Sequence, residues 1–354
     1  MAYQGLTNHT RYAADLALLA DEAGRDVLLV LVKATYQILD RHQLAMADPQ
    51  IPIDMAGEYY GEPGQTSLKY APEANFAKQA TDVTLIGHAH APNGRPVTQL
   101  DVSLNVGPLS KTVRVFGDRH WISRQHRWRA TTWEIAPPQP FTTLPLIYEH
   151  AFGGQDTSPE NERDHACEAR NLLGAGLIAT NTRRTEIPLP NLEDPRQLIQ
   201  TPQDRPAPAG FGPISPDWQP RLGHAGTYDD AWQANRMPLL PNDFDRRFFN
   251  AAHPDLIADG FLRGDESIAI VNASPRGPLE FTLPGHQPAI NVTLANEPPQ
   301  TLDSTLDSII INTDDHTVQL LWRGSLDIHQ RMYDLERIEI KLRHLAARPT
   351  PAAA

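Results

Sequence analysis

Nine prolines fall between Pro188 and Pro220, part of a total of 32 in 354 residues, roughly 9% against a usual ~5%. Each proline removes a backbone donor and restrains the residue before it, so a mainly helical bundle is excluded and strands joined by structured loops remain. Between those nine prolines no helix or strand of ordinary length fits. The stretch is either a disordered linker or an irregular segment packed on the body. Phe211, Trp218, Tyr228 and Trp232 crowd it and its immediate sequel. Burying each such ring is worth on the order of 1.5–3 kcal/mol or more, which predicts a packed loop.

Elsewhere the hydrophobic pattern is that of strands. Val27 to Val32 is an unbroken apolar run that continues into Lys33–Ile38 with partial alternation, as in a buried strand. Residues 82–87, 97–106 and 111–116 alternate, separated by turn signals at Pro92-Asn-Gly-Arg95 and Gly107-Pro-Leu-Ser110. Strands are expected again at 267–271, 279–283, 289–294, 308–312, 318–323 and 336–345, with a short helix across Ile328 to Leu335. Between Asp48 and Ala74, four prolines and three glycines make a long loop.

The expectation is a mainly β protein. Antiparallel meanders form a large β-sandwich-like body with long Pro/Gly-rich ordered loops and few short helices. Residues 1–345 read as one large domain, or as two β lobes joined through 188–220, and 346–354 as a frayed tail. No repeat of fixed period is found.

Composition narrows function mainly by exclusion. With 40% hydrophobic and 21% charged residues the chain is globular rather than disordered. A net charge of −12 lacks the clustered cationic surface of a nucleic-acid binder. The densest basic stretch, Arg114 to Arg129, is interleaved with Trp121 and Trp128 and reads as exposed strand faces. The single cysteine, Cys167, closes no internal disulfide. Met1 to Asp15 lacks a signal-peptide pattern and no apolar run spans a bilayer, so the chain is expected in the cytoplasm, off the membrane.

The search for chemistry returns little. His88 and His90 share a strand face but lack a further ligand cluster, so no metal is expected. A Gly-x-Ser-x-Gly elbow is absent. The acid pairs Asp229/Asp230, Asp243/Asp245 and Asp265/Glu266 have Arg246, Arg247 and Arg263 as counterions and read as structural. Asn171-Leu-Leu-Gly-Ala-Gly176 lacks the lysine of a phosphate loop. No catalytic residue and no cofactor are expected.

Taken in order, Lys33-Ala-Thr-Tyr36, Gly87-His-Ala-His-Ala-Pro92, Val115-Phe-Gly-Asp-Arg119, Tyr148-Glu-His-Ala-Phe-Gly-Gly154 and Leu189-Pro-Asn-Leu-Glu-Asp-Pro195 form the first half of a set. Pro208-Ala-Gly-Phe-Gly-Pro213, Ala225-Gly-Thr-Tyr-Asp229, Leu240-Pro-Asn-Asp-Phe-Asp245, Phe248-Phe-Asn250 and Gly260-Phe-Leu-Arg-Gly-Asp-Glu266 complete it. Across roughly Asn8 to Arg323 the chain resembles a domain-of-unknown-function family of type VI secretion adaptors, encoded beside PAAR spike-tip proteins, valine-glycine-repeat spike proteins and toxic effectors. One departure is Asn171-Leu-Leu-Gly174, where Asn-Pro-x-Gly is the expected turn.

The resemblance implies a cytoplasmic, chaperone-like adaptor. It would bind and stabilise a PAAR-containing effector and assist its loading onto the spike, meeting the valine-glycine-repeat protein indirectly. It brings no catalytic residue. A loading adaptor needs aromatic anchors in a polar rim, and Phe211, Trp218, Tyr228, Trp232, Phe244 and Arg246 are the candidate partner-binding residues. The alternative is that these aromatics only staple the loop to its own core. Two other functional classes stay open: a metal- or carboxylate-dependent hydrolase acting as an effector, and a structural component of the spike.

Overall fold

The computed structural model describes residues 5–40, 42–75, 78–126 and 129–345. Arg127, Trp128 and the tail at 346–354 lie outside the described residues.

The apolar run forms the strand Asp26–Ile38, whose positions 28–36 are all buried. A run buried on both faces belongs inside a sheet, and here the strand lies between Ala13–Ala20 and Thr317–Asp327, both antiparallel to it. The sheet continues through Thr305–Asn312 to Asp82–Ile86, the last pair parallel, with Leu44–Met46 added beside the end of the long strand.

A second sheet is antiparallel throughout, in the order Leu192–Glu193, Leu109–Phe116, Gln99–Val106, Ser267–Val271, Leu279–Thr282. In Gln99–Val106 every second residue is buried, as expected for a strand with one face on the core. The turn to its neighbour runs through Gly107 at φ +53°, a left-handed conformation that glycine adopts without strain. A third sheet orders Leu6–Asn8, Leu335–His344, His286–Leu294 and Gln300–Leu302.

All three sheets feed one core, in which Val32, Ile309 and Leu320 of the first meet Val102 and Leu104 of the second and Ile290 and Ile338 of the third. Trp121, Phe152, Leu177, Ile178, Ile187, Leu189 and Ile199 make a smaller core. It includes residues of the three-stranded sheet Arg129–Ile135, His120–His126, Glu186–Pro188. The protein is mainly β. Among the described residues no sheet closes into a barrel, and Asp230–Asn235 is the one α-helix.

The proline- and glycine-rich loop after Asp48 is fastened at its far end by Glu73. Both carboxylate oxygens receive the Lys33 ammonium, at 2.8 and 2.7 Å, inside the protein. The Asp54 amide donates to the same carboxylate at 2.7 Å. Removing one partner of such a buried pair typically costs ~3–5 kcal/mol because the other charge is stranded.

Two expectations change. The helix across Ile328 to Leu335 shrinks to a single 3-10 turn, Met332–Asp334, because Leu335 already enters the next strand. The strand Ala13–Ala20 has no counterpart in the sequence reading; its weak alternation matches a strand that is only half covered.

Candidate interaction surface

After Pro220 the chain leaves the core and makes an excursion that returns at Asn250. Its two ends are 3-10 turns, Arg221–His224 and Arg246–Phe249, which pack together. Local chemistry shapes what lies between. Asp229 caps the short helix by accepting from the Trp232 amide at 2.8 Å. Asp243 accepts from the Thr227 amide at 3.0 Å and from its hydroxyl at 2.7 Å, tying the two limbs together. Gly226 sits at that crossing with φ +78°, where an added Cβ would lie 2.9 Å from both Asp243 Oδ1 and Pro241 Cβ, so no larger residue fits.

The excursion is held from below by the turn between the first two strands of the long sheet. Arg246 makes a fork to the Glu22 carboxylate, at 2.6 and 2.9 Å. Arg236 donates to the Glu22 carbonyl and, at 2.8 Å, to the carbonyl of Leu240. The Leu239 side chain packs against Gly24. Arg221 joins the excursion to the proline-rich loop. Its guanidinium donates to the Phe248 carbonyl at 3.0 Å and to the Ile214 carbonyl at 2.6 Å. Burial pulls the Arg221 pKa down to about 10, which leaves it charged at neutral pH. The Arg246 fork holds the Glu22 carboxyl below its ordinary range, and Arg247 does the same for Asp245.

Rings knit the interior of the excursion. Phe244, Phe248 and Phe249 form a triad with centroids 5.3–5.9 Å apart. Tyr228 meets Trp232 edge-on at 4.7 Å, and the Trp232 indole donates to the Leu239 carbonyl at 2.9 Å. The Met237 amide donates to the Trp232 carbonyl at 3.0 Å, which brings Met237 beside this pair. Apolar side chains nevertheless remain in solvent: Leu222 is 48%, Tyr228 53% and Met237 60% exposed.

The six candidate residues therefore divide. Phe211 is 0% and Trp218 2% exposed, both in the main core. Trp218 sets its edge on buried Tyr148 at 5.8 Å, and the carbonyl of Phe211 accepts from the Leu85 amide at 3.1 Å. Their place on a partner surface is corrected: as core residues they reach no partner. Tyr228 is exposed, Trp232 and Phe244 are half-buried, and Arg246 is exposed but engaged with Glu22. Leu222, Met237, Glu22, Arg221 and Arg236 were not singled out from the sequence. The Asp229 cap ahead of Trp232 is a readable helix signal, whereas Glu22 and Arg246 are 224 positions apart and leave none.

The remaining motifs are held by local hydrogen bonds and ion pairs. His88 binds Asp314 at 2.8 Å and its ring lies 6.4 Å from that of His90. Among the described residues no group of three His, Cys, Asp or Glu could hold a metal. Glu266 accepts from the amides of Arg263 and Gly264. Asn171 is buried and its side chain donates to the carbonyls of Tyr148 and Phe152, so the glycine-looking stretch is a turn built on asparagine. In the basic stretch Arg114 pairs with Asp101, Arg119 with Glu193 and Arg124 with Glu134.

Compared with known families, residues 23–323 match the model described as an uncharacterized protein conserved in bacteria (DUF2169). The chain belongs to that family. The family match spans the proline-rich loop and the whole excursion, and it stops before the strand Leu335–His344. No curated protein and no solved structure matches the chain.

Proposed function

We propose that this member of the family is a cytoplasmic adaptor that binds a PAAR-containing type VI secretion effector, keeps it folded and assists its loading onto the valine-glycine-repeat spike. The observation that supports it is the excursion itself. Leu222, Tyr228 and Met237 hold apolar surface in solvent on a segment pinned by Arg221, Arg236 and Arg246. A monomer gains nothing from ordering exposed apolar side chains, whereas a preorganised anchor lowers the entropic cost of binding. Among the described residues no helix is long and apolar enough to cross a membrane.

The test is co-expression with the neighbouring PAAR-containing reading frame, followed by affinity capture and size exclusion. Tyr228→Ala combined with Met237→Ser should weaken the complex by about 30-fold or more, the effect of losing ~2 kcal/mol at a hot spot, with unfolding unchanged. Failure of the adjacent effector to bind, or full binding by the double variant, would remove the reading. In a secretion assay the adaptor should stay in the producing cell while the effector leaves.

A further inference from the structure

A cleft of about 420 Å³ opens where the proline-rich loop crosses the second sheet. Its volume is in the range of small-ligand sites. Tyr148, Pro208, Ile214, Pro220 and Pro254 give it an apolar lining. Also lining it, Lys111 on the strand Leu109–Phe116 meets Asp255 and His253 of the 3-10 turn region after Ala252. The Lys111 side chain is 3% exposed.

The lysine is only partly satisfied. Its ammonium donates to Asp255 Oδ2 at 3.2 Å and lies 3.1 Å from His253 Nδ1 and 3.3 Å from His253 Nε2. Burial and the Lys111 charge push His253 down to about 4, so the imidazole is neutral and Nδ1 accepts, from the Asp255 amide as well. Two of the three ammonium hydrogens are thereby placed; the remaining contact is with His253 Nε2, which in this tautomer carries a proton and offers no lone pair. Asp255 does not fully offset the desolvation of Lys111, whose pKa is lowered on balance by burial.

Arg196 stands beside it, held by Asp194 at 2.7 Å and by Asp255 at 3.4 Å, with Nε and one terminal nitrogen used and the other terminal nitrogen left over. Arg170, also at the cleft, is held by Glu168 and by two loop carbonyls through Nε and one terminal nitrogen. Lys111, Arg196 and Arg170 thus give the cleft a cationic lining, with Asp194 and Asp255 beside them and apolar groups completing it.

We propose that the cleft is a binding site for a small organic acid, its carboxylate received by Lys111 and Arg196 and its apolar body lying against Tyr148, Pro208 and Ile214. A carboxylate supplies the acceptor that the buried ammonium lacks, and charge-assisted hydrogen bonds of this kind are the strong ones. The role does not rest on effector binding.

Isothermal titration with 2-naphthoate and with its uncharged twin 2-naphthamide tests it. One equivalent of the acid should saturate the protein with submillimolar affinity, at least tenfold tighter than the amide. Arg196→Gln, a change at an exposed guanidinium, should remove most of that difference. Ala207→Trp, which fills the mouth without touching a charge, should abolish binding of both. Lys111→Met should weaken the acid at least tenfold; if it does not fold, the other two variants carry the test. No saturable binding of the acid up to about 1 mM, an amide as tight as the acid, or unchanged affinity in Arg196→Gln and Ala207→Trp would each overturn the proposal. Because these two changes leave Tyr228 and Met237 untouched, effector capture should be retained in both.

Discussion

The stretch from Pro188 to Pro220 and the excursion from Arg221 to Phe249 look alike as sequence, both mixing proline, glycine and aromatic residues, yet one is core and the other is surface. From Pro208 to Ser215 every residue is buried. A buried irregular chain must satisfy each backbone donor, and a proline has none to satisfy. The donors and acceptors that remain find partners: Ile214 donates to the Ala251 carbonyl at 2.7 Å, and Phe211 accepts from Leu85. Gly210 makes the approach possible, since a Cβ there would lie 2.7 Å from the ring of Tyr148. The excursion instead closes on itself through Asp229, Asp243 and Asp245 and is tied to the body at the turn around Glu22 and through Arg221. Proline density therefore marks irregular backbone, and the neighbouring sheet decides whether that backbone is buried.

The sharpest way to break the comparison is to empty the inner segment. Trp218→Ala or Phe211→Ala should destabilise the fold by about 3–5 kcal/mol in urea unfolding, as for large aromatic deletions in a core. A loss below 1 kcal/mol would mean that the loop is not part of the cooperative unit. Next comes the link between the regions. Arg221→Met leaves the Ile214 and Phe248 carbonyls without their donor and should cost about 1–3 kcal/mol. An unchanged midpoint would show that the desolvation of the guanidinium outweighs its hydrogen bonds.

Smaller again is the anchor under the excursion. Arg246→Ala breaks a pair whose side chains are 44% and 33% exposed, so solvent screening limits the loss to about 0.2–1 kcal/mol. Amide exchange should then quicken around residues 228–240 and stay slow at 208–215. Uniform slowing or quickening in both would erase the distinction.

The smallest effect is pH-dependent. Glu22 has a folded pKa lowered by Arg246, so its contribution is in place above its unfolded value near 4.5 and is lost as pH falls through the lower folded value. Asp245, lowered by Arg247, works in the same direction. The cost of Arg246→Ala measured at pH 6 should shrink towards zero at pH 3. A cost that persists there would assign it to packing of the arginine stem.

Much of the fold was legible because strand signals are local. The apolar run at Val27–Val32, the alternation of Gln99–Val106 and Leu109–Phe116 around Gly107, and the alternating Ile338 and Ile340 all reappear as strands. What escaped depends on distance along the chain. The parallel pairing of Asp82–Ile86 with Thr305–Asn312 joins segments about two-thirds of the chain apart, and the cleft sets Lys111 against Asp255, 144 positions away. Neither leaves a pattern in any window of sequence. The resemblance read from the sequence rested on ordered short motifs, several of which prove to be turns and caps, such as Ala225-Gly-Thr-Tyr-Asp229 and Leu240-Pro-Asn-Asp-Phe-Asp245.

The chain by itself determined that it would be mainly β with packed, irregular connections, because proline chemistry and side-chain alternation act on nearest neighbours. Only the tertiary structure decided which aromatic residues face inward. Trp218 and Trp232 are the same side chain in similar company; one meets Tyr148 inside the main core, while the other sits on an excursion that folds back on itself, half in solvent. Burial is a property of what lies opposite, and that is set by distant strands.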